Sequence, residues 1–155
     1  MIGAKLLSHW KRAEGSALGR SLFARALGRA APYTGSIRPE IVALAPGHAR
    51  VAMKDRRAIR NHLRSVHAIA LVNLGEVTSG LALLTGLPED TRGIVKGLSV
   101  EYLKKARGRL VAACDCEPPP DSRKRDVTVE ATIRDAEGDA VAVVRVDWRV
   151  GPVSS

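Results

Sequence analysis

Between Ala68 and Leu84 the chain runs through alanine, leucine, isoleucine, valine and glycine without a lysine, an arginine or a proline, and it carries one carboxylate, Glu76. A helix that is apolar on nearly every side has to be enclosed by protein or lipid. Enclosure is costly for an unpaired carboxylate, which either finds hydrogen-bond donors or holds its proton to a higher pH. Both outcomes occur where a carboxylate serves as a base or a nucleophile. At 100° per residue, Ile69, Asn73, Glu76 and Gly80 share one face, and Ala68, Gly75, Ser79 and Ala82 form a neighbouring stripe of small residues. That pattern predicts a helix wrapped by a sheet, its small stripe in contact and its polar face turned toward a site. The run is also about as long as a membrane span. Asn73, Glu76 and the glycines at 75, 80 and 86 argue against that, and no transmembrane segment is expected.

The start of this helix is the second feature. Ser65 is positioned to cap it, which would leave the amides of Val66, His67 and Ala68 open at its positive end, where a carbonyl oxygen can bind. Asn61 precedes His67 by six residues and Glu76 follows it by nine. His67 and Glu76 are then two and a half helical turns apart, so they would flank a substrate and would not form a hydrogen-bonded dyad. Spacing alone favours a plainer reading, with His67 and Asn61 as capping residues and Glu76 as a satisfied core carboxylate.

The pattern Asn61-x5-His67-x8-Glu76, followed by Gly97-Leu-Ser-Val-Glu-Tyr102-Leu-Lys-Lys-Ala-Arg-Gly108, resembles the PaaI-like acyl-CoA thioesterases of the hotdog fold. Pro32-Tyr33, Arg60-Asn61-His62, Val66-His67-Ala68-Ile69-Ala70 and Val146-Asp147-Trp148-Arg149-Val150 are more similar still to a branch of that superfamily catalogued only as a domain of unknown function. The resemblance implies an α+β fold in which an antiparallel sheet wraps a long central helix. It also implies acyl-CoA as substrate, with coenzyme A entering only as part of it and no separate cofactor or metal. Glu76 would attack the thioester or activate water, Asn61 would position water or substrate, His67 would contact the thioester region, and the amide of Ala68 would polarise its oxygen. Tyr102 would reach the Glu76 of a second chain, since hotdog domains form homodimers or dimers of dimers with sites between protomers. Lys104, Lys105 and Arg107 would stand near the coenzyme A entrance, and Asn73 would contact the substrate from the helix. Two departures stand out. Ala68 and Ile69 replace the glycine pair that usually follows the histidine, and Val77 and Gly80 replace hydroxyl residues that many relatives carry after the carboxylate. These departures also suit a non-catalytic acyl-CoA or lipid-binding hotdog protein.

Around the helix the chain reads as strands. Glu40–Leu44 and Ala49–Met53 flank the turn dipeptide Pro46-Gly47, and Gly93–Tyr102, Arg109–Cys116, Asp126–Arg134 and Ala140–Val150 follow the helix. Val127, Val129, Ala131 and Ile133 alternate with Thr128, Glu130, Thr132 and Arg134, the period of a strand with one buried face. Residues 1–31 carry Lys5, Lys11, Arg12, Arg20, Arg25 and Arg29 against the single acid Glu14, and read as one or two basic amphipathic helices broken near Gly15. They precede a thioesterase-like domain over 32–155, and pack against it or make weak contact with a membrane surface. The net charge of +9 and pI near 10.3 favour an anionic partner. Aromatic residues are only 3% of the chain, too few for the stacking platforms of single-strand binders, so no nucleic-acid partner is expected. Cys114 and Cys116 lack a second Cys or His pair at zinc spacing and read as reduced thiols of a cytoplasmic protein.

Overall fold

The apolar run that has to be enclosed is a 19-residue helix, α4 (Ala68–Gly86), and a six-stranded antiparallel sheet encloses it. In the computed structural model residues 2–153 are described; the outer ends of the two expected segments, residue 1 and residues 154–155, lie outside the described residues. Helices α1 (Ile2–Ala13), α2 (Ala17–Ala30) and α3 (Pro32–Ser36) lead into the hairpin β1 (Glu40–Ala45) and β2 (His48–Lys54). A 3-10 turn (Arg57–Ile59) and the loop to Val66 precede α4, and β3 (Thr91–Tyr102), β4 (Arg109–Asp115), β5 (Arg125–Arg134) and β6 (Ala140–Pro152) follow it. The sheet order is β1-β2-β4-β5-β6-β3, which leaves β1 and β3 at the edges. This is the hotdog arrangement.

Small residues let α4 sit down on the sheet. A Cβ on Gly75 would stand 2.4 Å from the Cβ of Val144 on β6, so only glycine permits that approach. Ser79 and Ala82 are fully buried, as the predicted contact stripe requires. Gly80 departs from expectation: it was grouped with the polar face, yet a Cβ there would lie 3.2 Å from the Trp148 ring. α4 is the one helix among the described residues with the length and apolar character of a membrane span, and most of it is buried within the protein.

The amphipathic segment packs against the domain. Trp10 of α1 and Phe23 of α2 are both buried, with ring centroids 5.4 Å apart at 63°, the edge-to-face geometry that aromatic pairs favour. The break falls at Glu14–Gly15, and Ser16 caps α2 by accepting from the amide of Gly19 at 3.0 Å. α3 was not anticipated, being a single turn opened by Pro32, a residue suited to the first helical position.

Both predicted turns use a left-handed glycine, Gly47 at φ 75° and Gly138 at φ 90°. The strand expected over Gly93–Tyr102 ends at Tyr102, as β3 does. The amides of Leu103 and Lys104 both turn onto the carbonyl of Val141, at 2.9 and 3.3 Å, and two donors on one acceptor cannot continue a ladder.

Candidate active site

The loop before α4 is knotted around Asn61. Its Oδ1 accepts from the amides of Leu63 at 2.9 Å and Ser65 at 3.2 Å and from the Ser65 hydroxyl at 3.1 Å, while its own amide N–H donates to the carbonyl of Ser65. The side-chain oxygen therefore holds the loop, and the Asn61 side-chain NH2 donates to no group among the described residues. Beside this knot, Arg60 and the largely buried Asp55 pair at 2.7 Å. Burial would raise the Asp55 pKa, but the Arg60 hydrogen bond, the Gly108 amide and the charges of Arg60 and Arg107 outweigh it and leave the carboxyl below its usual range.

That knot changes the expected cap. Ser65 is occupied by Asn61, the amide of Val66 donates to Ala106 O at 2.9 Å, and the amide of His67 donates to Ile59 O at 2.8 Å. His67 is the N-cap instead, its Nδ1 accepting from the amide of Ile69 at 3.1 Å. With Nδ1 as acceptor, the neutral form of the exposed His67 carries its ring proton on Nε2. Of the three amides expected to be open, only that of Ala68 donates to no group among the described residues. The helix dipole directs that donor toward negative charge.

Glu76 lies more than two turns further along α4, half-buried. No hydrogen-bond donor or cation meets its carboxylate among the described residues, and burial pushes its pKa up. The nearby hydroxyls do not serve it. Ser79 Oγ donates to the backbone carbonyl of Glu76 at 2.9 Å, and Thr78 Oγ1 donates to Leu74 O at 2.6 Å. Trp148, against Gly80 one turn away, has a buried indole N–H with no partner among the described residues.

The sheet side of this region is β3. Val95 stands opposite Trp148, Leu98 opposite Val146, Val100 opposite Val144 and Tyr102 opposite Ala142, so after an irregularity between Val95 and Gly97 these four residues share the face that meets α4. Leu98 and Tyr102 remain 47% exposed although they face inward, and Ile69 on α4 is 49% exposed. Leu98 was not singled out from the sequence; its signal was a large apolar residue in the alternation of a strand that proved to be an edge. The Tyr102 hydroxyl donates to the carbonyl of Ala68 in the same chain at 3.1 Å, and burial raises its pKa.

The other expected contacts are placed elsewhere. Asn73 is buried, and its side-chain NH2 donates to Tyr33 O at 2.9 Å, which fastens α3 to α4. Lys104 Nζ is surrounded by Asp135 at 2.8 Å, Asp139 at 2.7 Å and Glu137 at 3.1 Å, and hydrogen bonds to Asp135, Asp139 and Glu137 raise its pKa well above the usual lysine range. These three carboxylates could in principle gather a metal ion, but the ammonium already stands among them. Lys105 and Arg107 are exposed on the loop between β3 and β4. The groove of about 1420 Å³ between α2, α3 and β1 includes none of the predicted site residues.

The sequence profile of the family described as Domain of unknown function (DUF4442) matches residues 19–150. Among solved structures, one structural-genomics protein is similar with 28% identity and a TM-score of 0.84, covering 99% of this chain and 100% of its own. A Pseudomonas aeruginosa protein described as a probable thioesterase is 21% identical with a TM-score of 0.75, over 86% of this chain and 96% of that one. A variant of a Staphylococcus aureus thioesterase is 15% identical with a TM-score of 0.69, over 78% and 99%. A search of curated protein sequences finds no match.

Proposed function

Because the chain belongs to the DUF4442 family and has the hotdog fold of named thioesterases, we propose that it hydrolyses acyl-CoA thioesters with Glu76 as the reacting carboxylate. The observation that carries this reading is Glu76 itself, half-buried, without a partner among the described residues and raised in pKa by desolvation. A structural carboxylate in that position would be expected to have donors. As a nucleophile, the carboxylate attacks the thioester carbon, the C–S bond breaks, coenzyme A leaves as the thiolate, and water then cleaves the acyl anhydride. As a general base it takes a proton from the attacking water, and that proton ends on the departing sulfur. Both routes give a free acid and a free thiol.

Ala68 and Glu76 are eight residues apart on one helix, about 12 Å along its axis. The carbon and oxygen of one thioester are bonded neighbours, so both groups of a single chain cannot meet them. The reading therefore needs two copies, with Glu76 of one facing the helix start of the other, where the Ala68 amide would polarise the thioester oxygen and His67 Nε2–H would lie beside it. The exposed edge of β3, twelve residues long, is the natural place for a second copy to add. Tyr102 and Leu98 would then line the apolar side of the acyl site. With Lys104 tied to three carboxylates, Lys105 and Arg107 are the cations of this loop that we assign to coenzyme A phosphates. Cys114 and Cys116 are free thiols, which suits the reducing cytoplasm that we assign as the setting.

One observation favours a second reading. The hydroxyls of Thr78 and Ser79 are spent on backbone carbonyls, so neither substitutes for the water-handling hydroxyls of related enzymes, as a non-catalytic acyl-CoA binder would allow. Release of free thiol from a panel of short, long and aryl acyl-CoAs separates the two. Saturable release from at least one class is expected. Saturable binding without release would select the binder, and neither binding nor release would contradict both.

A further inference from the structure

The groove between α2, α3 and β1 is lined by Arg20, Arg25, Arg29, Arg38, Lys54 and Arg109, with Glu40 as its one acid. Glu40 is already engaged, by Lys54 at 3.2 Å and Arg109 at 3.4 Å, and Arg20 donates to the carbonyl of Glu14 at 2.7 Å. Arg25, Arg29 and Arg38 have no acidic partner among the described residues. Arg56 donates to the carbonyl of Ser36 in the groove wall, and its Nε is buried with no partner among the described residues. Arg38 stands close enough for its charge to act on Arg56. Arg38 also occupies a left-handed position at φ 52°, just past the end of α3, where glycine is normally favoured. Like charges gathered around a hollow with their acid already consumed call for an anion from outside.

We propose that this groove binds a phosphate-bearing ligand, held by Arg25, Arg29 and Arg38. Guanidinium groups suit phosphate because their paired N–H donors match its oxygens. The proposal goes beyond the thioesterase reading, for none of the residues lining the groove lies on α4. The phosphate has two possible sources, a soluble phosphorylated compound or a lipid headgroup. Leu18 and Leu22, 70% and 54% exposed, lie on the same stripe of α2 as Arg25 and Arg29, so a headgroup in the groove would bring acyl chains toward apolar side chains.

The test uses the full chain at low ionic strength with two probes, inorganic pyrophosphate and vesicles of phosphatidylglycerol. Arg25→Gln/Arg29→Gln removes two unpaired surface charges and leaves the core untouched. Arg123→Gln/Lys124→Gln removes the same charge from the β4–β5 connection. The groove variant should weaken pyrophosphate binding about tenfold or more, and the distant variant should change it less than about twofold. Pyrophosphate binding without vesicle binding identifies a soluble ligand. Vesicle binding that the groove variant abolishes, that pyrophosphate displaces and that Leu18→Ser/Leu22→Ser weakens identifies a headgroup. Binding of neither probe, or equal loss in the two charge variants, overturns the proposal.

Discussion

Glu76 and Lys104 are both charged groups placed beside the sheet, and the protein treats them in opposite ways. Lys104 has three carboxylate oxygens within 3.1 Å of its ammonium. Glu76 is more deeply buried and has no partner among the described residues. The cluster at Lys104 joins the loop after β3 to the β5–β6 turn, and its ammonium is fully compensated. The carboxylate on α4 is left with a desolvation cost and no compensation, a condition that persists where the group has chemistry to do. In this fold the satisfied charge holds two segments together, and the unsatisfied one is the carboxylate that we propose reacts.

Replacing Glu76 with glutamine should have the largest effect on activity. The amide keeps the shape and removes the base or nucleophile, so thioester hydrolysis should fall by about 10²–10⁴ while ligand binding holds and the unfolding temperature does not fall. Turnover within a few fold of the parent would erase the contrast between the two charges.

Smaller losses are expected at the helix start, where cap and chemistry have to be separated. His67→Ala removes the Nδ1 acceptor for Ile69 and should cost about 1 kcal/mol of stability. His67→Asn restores a capping side chain, and should recover that stability without recovering turnover. Asn61→Ala strips the acceptor from three donors and should destabilise by about 1–3 kcal/mol, whereas Asn61→Asp keeps it, loses the NH2 and adds a negative charge. Should either conservative variant restore full turnover, that residue is a loop or helix anchor with no part in positioning the reactants.

The smallest effect belongs to the basic loop. Lys105→Ala/Arg107→Ala should raise KM for acyl-CoA with kcat unchanged, and should lose little on an acyl-pantetheine that lacks the nucleotide. Lys104→Ala should leave KM alone and lower the unfolding temperature in a salt-sensitive way. If Lys104→Ala were the variant that raised KM, the paired charge would be the functional one.

Much of this was legible in the sequence because it rests on local pattern. Alternation over Val127–Ile133 and the turns at Gly47 and Gly138 located the strands, and the apolar run containing Glu76 located the central helix. What escaped depends on residues far apart in the chain. Gly80 was placed on a polar face by its helical angle, and only the position of Trp148 on β6 shows why it has no side chain. The bonds that occupy Lys104 come from 31 to 35 residues away. The cap moved from Ser65 to His67 because Asn61, four residues earlier, had already taken the serine hydroxyl. In the proposed reading the second copy follows from helix rise alone, because Ala68 and Glu76 sit on one helix.

The central claim is that the site works through a carboxylate held in the fold without a partner, and titration of the Glu76 side-chain carboxyl by carbon-13 NMR tests it directly. A folded-state pKa raised above the unfolded one means that Glu76 favours folding below its ordinary value of 4.5, and that this contribution is lost as pH rises through the raised value. Glu76→Gln should therefore become the more stable protein relative to the parent as pH climbs through that window. The account predicts a midpoint for Glu76 above 4.5 in the folded chain. A midpoint at or below 4.5 would mean that the carboxylate has found a donor or a cation, and would contradict it.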